Sequence, residues 1–373
     1  MFSPRPSVAA GSAPHYVITN NDLAAPDQNS ASFLTIEADG TLSEKVSIET
    51  KGMGIGSGYF GSDRVSVNQN KQASCAYISN AATGTIAGIN ILKLKVTGAF
   101  KGSKSDGGTS NGIGLISNDT YLYAGYSDSN TIGTFQVQSG CKLKFVADIS
   151  VMGLQGGVID GMAIHADMLA VTYGDGSIES FSISGGVPVS NGDEQNSTGS
   201  KSGNTYPSAV EITADGHFAI FGDVSPFTVI EVSDISSGKL TKTVVYHVSR
   251  QISSANILLS PDETLLYISN TQGDRISAAF FDKDTGKLTE GCSSGTLKGY
   301  VTDWTYLGSL ALQSNTGTGG MVYAAEFGTP SSIAEVAVTS SGGKCTLQEL
   351  SKSPVTVDSQ GLLSIGSFPP RSF

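Results

Sequence analysis

Leu265-Leu266-Tyr267-Ile268-Ser269-Asn270 follows Ser260-Pro261-Asp262-Glu263 and precedes Arg275-Ile276-Ser277-Ala278-Ala279-Phe280-Phe281. The proline sets the first corner of a turn. Leu265 to Ser269 then has the length and composition of a buried strand, and the alternation from Arg275 to Phe281 is that of a half-buried one. Upstream, Ile257-Leu258-Leu259 is a short apolar strand; downstream, Asp284-Thr285-Gly286-Lys287-Leu288 closes a further hairpin. Residues 253–297 therefore parse as four strands. Related segments recur at intervals of ~50 residues: Tyr16-Val17-Ile18-Thr19-Asn20, Tyr77-Ile78-Ser79-Asn80, Tyr123-Ala124-Gly125-Tyr126-Ser127-Asp128, Val171-Thr172-Tyr173-Gly174-Asp175, Ile220-Phe221-Gly222-Asp223 and Tyr323-Ala324-Ala325-Glu326.

A four-stranded unit cannot bury both faces alone, and seven of them pack radially around an axis. The expected fold is all-β: a seven-bladed β-propeller of four-stranded antiparallel blades, with 15–373 as one domain after a flexible segment 1–14. The first repeat has no evident innermost strand upstream. Residues 361–368, Gly-Leu-Leu-Ser-Ile-Gly-Ser-Phe, are expected to supply it, closing the ring by pairing the two chain ends and removing exposed sheet edges. Six blades are the alternative if the long interval around 51–62 belongs to an insertion.

Composition supports this reading and excludes others. Charged residues make up only 15% and there are 46 glycines, as many short strands and tight turns require. The net charge of −11 opposes nucleic acid and anionic membranes, which need clustered Lys and Arg. No apolar stretch is long enough to span a bilayer. Cys75, Cys141, Cys292 and Cys345 form no Cys-x-x-Cys pair, so a zinc cluster is not expected. One or two bridges between outer strands, with Cys292–Cys345 the first candidate because their repeats are neighbours, stand beside free buried thiols. The sequons Asn118-Asp119-Thr120 and Asn196-Ser197-Thr198 point towards an extracellular or periplasmic protein, with the cytoplasm as alternative. A monomer is expected.

Tyr-Ile-Ser-Asn preceded by Ser-Pro-Asp and followed by an alternating strand resembles the lactonase-type, or YVTN-repeat, β-propeller superfamily over nearly the whole chain. That family includes 6-phosphogluconolactonase-like and carboxymuconate cyclase-like enzymes and proteins of unknown role, so the resemblance implies fold more strongly than chemistry. In its enzymes a His-Pro commonly opens an innermost strand at the channel. The matching places here read Asp63-Arg64, Ser110-Asn111, Asp160-Gly161, Tyr206-Pro207, Ser254-Ala255 and Asp303-Trp304, none of them His-Pro.

The loop before each innermost strand and the turn after each second strand share one rim. The turns bring Asn20 and Asp22, Asn80, Asp128, Asp175, Asp223, Asn270 and Glu326, either as a ring of ligand-facing groups or as turn-forming residues. Converging carboxylates need an arginine, a cation or raised pKa values. Arg64 is the first candidate partner, for a substrate carboxylate or for a salt bridge within the fold; Arg250 and Arg275 come next. Glu211, on an innermost strand, faces either the channel as a base or a neighbouring blade. The aromatics Tyr126, Tyr173, Tyr206, Phe227, Trp304 and Phe327 fall at the same rim and would suit a small, flat or cyclic organic ligand, or simply cover the channel. Two functional readings stand. In one, a lactone hydrolase or lactonising cycloisomerase uses Asp175, Asp223 or Glu211 as acid or base and Arg64 to hold an anionic substrate, directly or with a channel Ca2+ bound by oxygen ligands. In the other, a non-catalytic propeller binds a small molecule or protein, or accompanies a secondary-metabolic pathway.

Overall fold

In the computed structural model, residues 14–56, 63–69, 73–102, 112–197, 206–224, 229–247, 254–270, 275–298, 306–314, 319–327, 331–360 and 364–370 are described. They form seven antiparallel sheets, each built on a path of four strands. The innermost strands, from first blade to seventh, are Ser364–Phe368, Val65–Gln69, Ile113–Ser117, Ile159–His165, Tyr206–Ile212, Ser254–Leu259 and Tyr306–Ser314. Each touches the next, and Tyr306–Ser314 meets Ser364–Phe368 to close the ring. Blades four and seven add short fifth strands, Gln195–Asn196 and Val355–Val357, paired to their third strands.

Closure uses the two chain ends as the repeat pattern predicts. Ser364–Phe368 pairs antiparallel with Tyr16–Asn20, from Tyr16↔Phe368 to Asn20↔Ser364, while Ser30–Ile36 and Leu42–Glu49 complete the first blade. Tail residues 361–363 and the N-terminal residues 1–13, part of the expected flexible segment, lie outside the described residues. The seven sheets exclude the six-bladed alternative.

The repeat's apolar positions explain why the blades stack. Tyr77, Tyr123 and Tyr323 are fully buried, and each core cluster joins neighbouring blades. Ile18, Phe33 and Phe368 of the first blade, for example, pack against Val65, Ala76 and Ile78 of the second. Each such side chain contributes roughly 1.5–3 kcal/mol through burial, so the interfaces between blades, and not single blades, hold the ring.

All four cysteines are bridged, Cys75 to Cys141 and Cys292 to Cys345, which resolves the choice between bridges and free thiols. The first bond ties the second blade to the third, and the other ties the sixth to the seventh. Each cross-link spans more than fifty residues and restricts the unfolded chain, a contribution of about 2–4 kcal/mol. Thermal unfolding of Cys75→Ser/Cys141→Ser and of Cys292→Ser/Cys345→Ser should each show a lower Tm than the wild type without loss of β-sheet circular dichroism; an unchanged Tm in both would show that the bridges are thermodynamically idle.

Candidate functional site

Strand pairing fixes which residues are equivalent at the rim where the innermost strands begin, called here the upper rim. Asn20, Asn80, Tyr126, Tyr173, Asp223, Asn270 and Glu326 occupy the corresponding place near the end of each second strand. Asp128 and Asp175 fall two residues beyond it, in the turns. Most of these groups brace the fold. Asn20 Nδ2 donates to the Ser79 carbonyl across the first blade interface at 3.0 Å, and Asn80 Oδ1 accepts from Thr50 Oγ1 and Asn29 Nδ2 at 2.6 and 2.9 Å. Asn270 Nδ2 donates to the Arg275 carbonyl and to Ser277 Oγ, each at 3.1 Å. Glu326 Oε2 accepts from Ser332 Oγ, and Tyr173 OH donates to Glu179 Oε2 at 2.8 Å. Tyr126 is buried and Asp128 exposed.

Asp175 braces the loop that leads into the fourth blade. Its carboxylate accepts from the amides of Gln155, Gly157 and Ser177 at 2.7, 2.9 and 3.0 Å and from Ser177 Oγ at 2.6 Å. Partial burial works to raise its pKa, but these donors outweigh it and hold the carboxyl below its ordinary value. Asp223 is fully buried. Desolvation, reinforced by the charge of Glu231, pushes its carboxyl well above the ordinary range. Glu211 is half-buried, two residues along from Ala209, which packs with Ile257 and Leu259 of the sixth blade; both lie on that face of the strand. The Tyr206 backbone opens the fifth innermost strand. The side chain of Tyr206, together with Phe227, Arg250 and Trp304, lies outside what is described.

Arg64 is a pin between blades. Nη1 meets Asp22 Oδ2 at 3.0 Å with both side chains buried, and the Arg64 amide donates to Ser364 Oγ of the closing strand at 2.9 Å. Asp22 Oδ1 also accepts from the Ile55 amide at 3.0 Å. Burial lifts the Asp22 carboxyl above its ordinary value, and the Arg64 charge and the loop amides only partly oppose that. Gly112, at φ +88°, runs against the guanidinium: a Cβ there would lie 2.9 Å from Nε. One ion pair thus holds the rim loops of the first three blades together. Of the two readings of Arg64, the structure shows the internal bridge. Beside it, Asp63 Oδ1 accepts from Asn256 Nδ2 of the sixth blade at 3.3 Å, a bond that crosses the channel mouth.

The other side of the rim is built differently. In the fourth blade Ile159 and Gly161 face consecutive residues Tyr173 and Thr172, so Asp160 is the extra residue of a β-bulge. The fifth and sixth blades repeat the insertion at Ser208 and Ala255, and the seventh shifts register between Leu307 and Leu310. Innermost strands of the first three blades run without a shift. Bulges re-aim side chains and concentrate beside functional sites. Gly161 follows because its backbone passes close to the next blade: a Cβ would lie 2.8 Å from the Ser208 carbonyl oxygen.

Asp160 is 9% exposed and its carboxyl has no hydrogen-bond or ionic partner among the described residues. Desolvation alone raises its pKa well above the ordinary carboxylate value. An uncompensated buried acid is costly and rare, which makes Asp160 a candidate functional group. Its signal was present in the sequence, since Asp160-Gly161 stands where the resembling enzymes open a strand with His-Pro. Among the described residues no group of three or more His, Cys, Asp and Glu side chains is arranged to hold a metal ion.

The family model described as lactonase, 7-bladed beta-propeller, matches residues 76–354. The chain belongs to this lactonase family. Solved structures extend the likeness of fold beyond the matched residues. A candidate 6-phosphogluconolactonase from Bacteroides fragilis superposes with a TM-score of 0.68 at 13% identity, covering 97% of this chain and 99% of that one. A protein of unknown function from Desulfotomaculum acetoxidans gives 0.63 at 16% identity, covering 94% and 98%. A candidate 6-phosphogluconolactonase from Bacteroides uniformis gives 0.58 at 14% identity, covering 74% and 80%. At these identities the likeness concerns the fold. No curated protein matches the sequence.

The buried acid of this lactonase-family propeller makes a signed stability prediction. The Asp160 pKa is raised in the folded state, so stability falls as pH climbs from the unfolded value of 3.8. Asp160→Asn removes the ionisable group and should be more stable than wild type at pH 7, where the buried carboxyl would otherwise have to ionise. That gain should vanish below the unfolded pKa. Urea unfolding at pH 3 and pH 7 measures both; equal stability at the two pH values relative to wild type would place Asp160 in an ordinary, solvated setting.

Proposed function

We propose that this protein is a hydrolase of small cyclic esters, with Asp160 as the acid–base group at the channel. The observation that carries this reading is the buried Asp160 carboxyl, without a partner among the described residues, held on a bulge at the rim of a lactonase-family propeller. A carboxyl with a raised pKa works near neutral pH in both directions. As carboxylate it takes a proton from water while the water oxygen bonds to the lactone carbonyl carbon. When the ring C–O bond breaks, the same group returns that proton to the departing alkoxide, leaving an open-chain hydroxy acid. The Asn256–Asp63 bond across the mouth narrows it and favours a compact substrate.

Two disulfides support an oxidising, exported setting, because such bonds persist where thiols are not kept reduced. The second reading, a non-catalytic binding propeller, is favoured by the internal engagement of Arg64 and Asp175, which removes two of the groups that a substrate anion and a base would require. A screen of γ- and δ-lactones, sugar lactones included, separates the two. The hydrolase reading expects turnover by wild type and a drop in kcat of about 10²-fold or more for Asp160→Asn, the usual share of a positioned acid–base group. Ligand binding without turnover of any lactone would favour the second reading, and turnover untouched by Asp160→Asn would remove Asp160 from the chemistry.

A further inference from the structure

We propose that Asn118, on the rim opposite the Asp160 site, is an N-glycosylation site. The sequon Asn118-Asp119-Thr120 forms the short connection between Ile113–Ser117 and Tyr121–Tyr126, and Asp119 and Thr120 are exposed. The Asn118 side-chain oxygen accepts from the amides of Thr120 and Tyr121 at 2.9 and 2.8 Å, and its backbone amide donates to the Tyr121 carbonyl at 3.0 Å. These bonds fold the sequon into an Asx turn. They occupy the carboxamide oxygen and leave Nδ2, the atom that would receive the sugar, without a hydrogen-bond partner among the described residues.

In the transfer, Nδ2 bonds to the anomeric carbon of an oligosaccharide carried on a lipid pyrophosphate. The anomeric C–O bond breaks, the lipid pyrophosphate departs, and one Nδ2 proton passes to a base of the transferase. The two disulfides place the chain's maturation in a compartment where this chemistry also occurs. The second sequon is built differently. Asn196 is exposed, but Ser197 is buried with its hydroxyl on Glu231, and Thr198 lies outside the described residues.

Position gives the modification a consequence. Asn118 follows the far end of a five-residue innermost strand, about 17 Å from the rim where that strand begins. A glycan would cover the lower rim and leave the upper channel mouth open, so lactone turnover should be the same with and without it.

The test is secretion of the full chain from a eukaryotic host, followed by peptide mass spectrometry before and after peptide-N-glycosidase in 18O water. Wild type should show a glycan mass on the Asn118 peptide and conversion to 18O-labelled Asp on release. Asn118→Gln and Thr120→Ala should lose that mass, whereas Thr120→Ser, which keeps the hydroxyl, should retain it. A secreted, disulfide-bonded wild-type chain with Asn118 unmodified would overturn the proposal, whether or not Asn196 is occupied.

Discussion

Five backbone pairs between Tyr16–Asn20 and Ser364–Phe368 set the geometry of everything else. Without them the first blade lacks its innermost strand and presents an open edge at Tyr16–Asn20, and Tyr306–Ser314 of the seventh blade loses the strand it packs against. With them the ring has a fixed circumference, and each innermost strand is pressed between two neighbours. The Arg64–Asp22 pair depends on this closure, because the Arg64 amide bonds to Ser364 of the closing strand while its guanidinium holds the turn that follows Tyr16–Asn20. Within that closed ring, register shifts interrupt the innermost strands of blades four to seven at equivalent places.

The rim is consequently divided. On the side of the first three blades, regular strands and a buried ion pair lock the loops together. Replacing such a pair with well-packed apolar groups is often neutral for stability, so its contribution here is better described as fixing loop geometry. On the other side, register shifts interrupt the ladders, and one of them carries an acid that the protein leaves without a counter-charge among the described residues. Burial there costs stability and leaves a carboxyl that holds its proton longer than a solvated one.

The fold was legible in the sequence because its determinants are local and repeated. Pro261 in its turn, the buried run ending at Asn270 and the alternation after Arg275 are visible without knowing what they touch, and the tail's pairing followed from a missing strand. Site geometry depends on register, which is not local. Tyr126 and Tyr173 hold the places expected of Asp128 and Asp175, since a turn lengthened by two residues looks the same in sequence as a strand lengthened by two. The partner of Arg64 lies 42 residues away in another blade, and nothing in Asp63-Arg64 distinguishes it from a free cation. A bulge is similarly silent: Asp160-Gly161 reads as the start of a strand until Tyr173 and Thr172 are seen to face Ile159 and Gly161.

The central claim is that Asp160 is a buried acid poised for proton transfer. Carbon-detected NMR titration of the aspartate carboxyls in 13C-labelled protein, with the Asp160 signal assigned by its loss in Asp160→Asn, tests this without any substrate. Here the Asp160 carboxyl should titrate well above its unperturbed value of 3.8. A midpoint at or below that value would contradict the account, because a carboxyl that ionises as freely as a solvated one has no raised proton affinity to contribute at neutral pH.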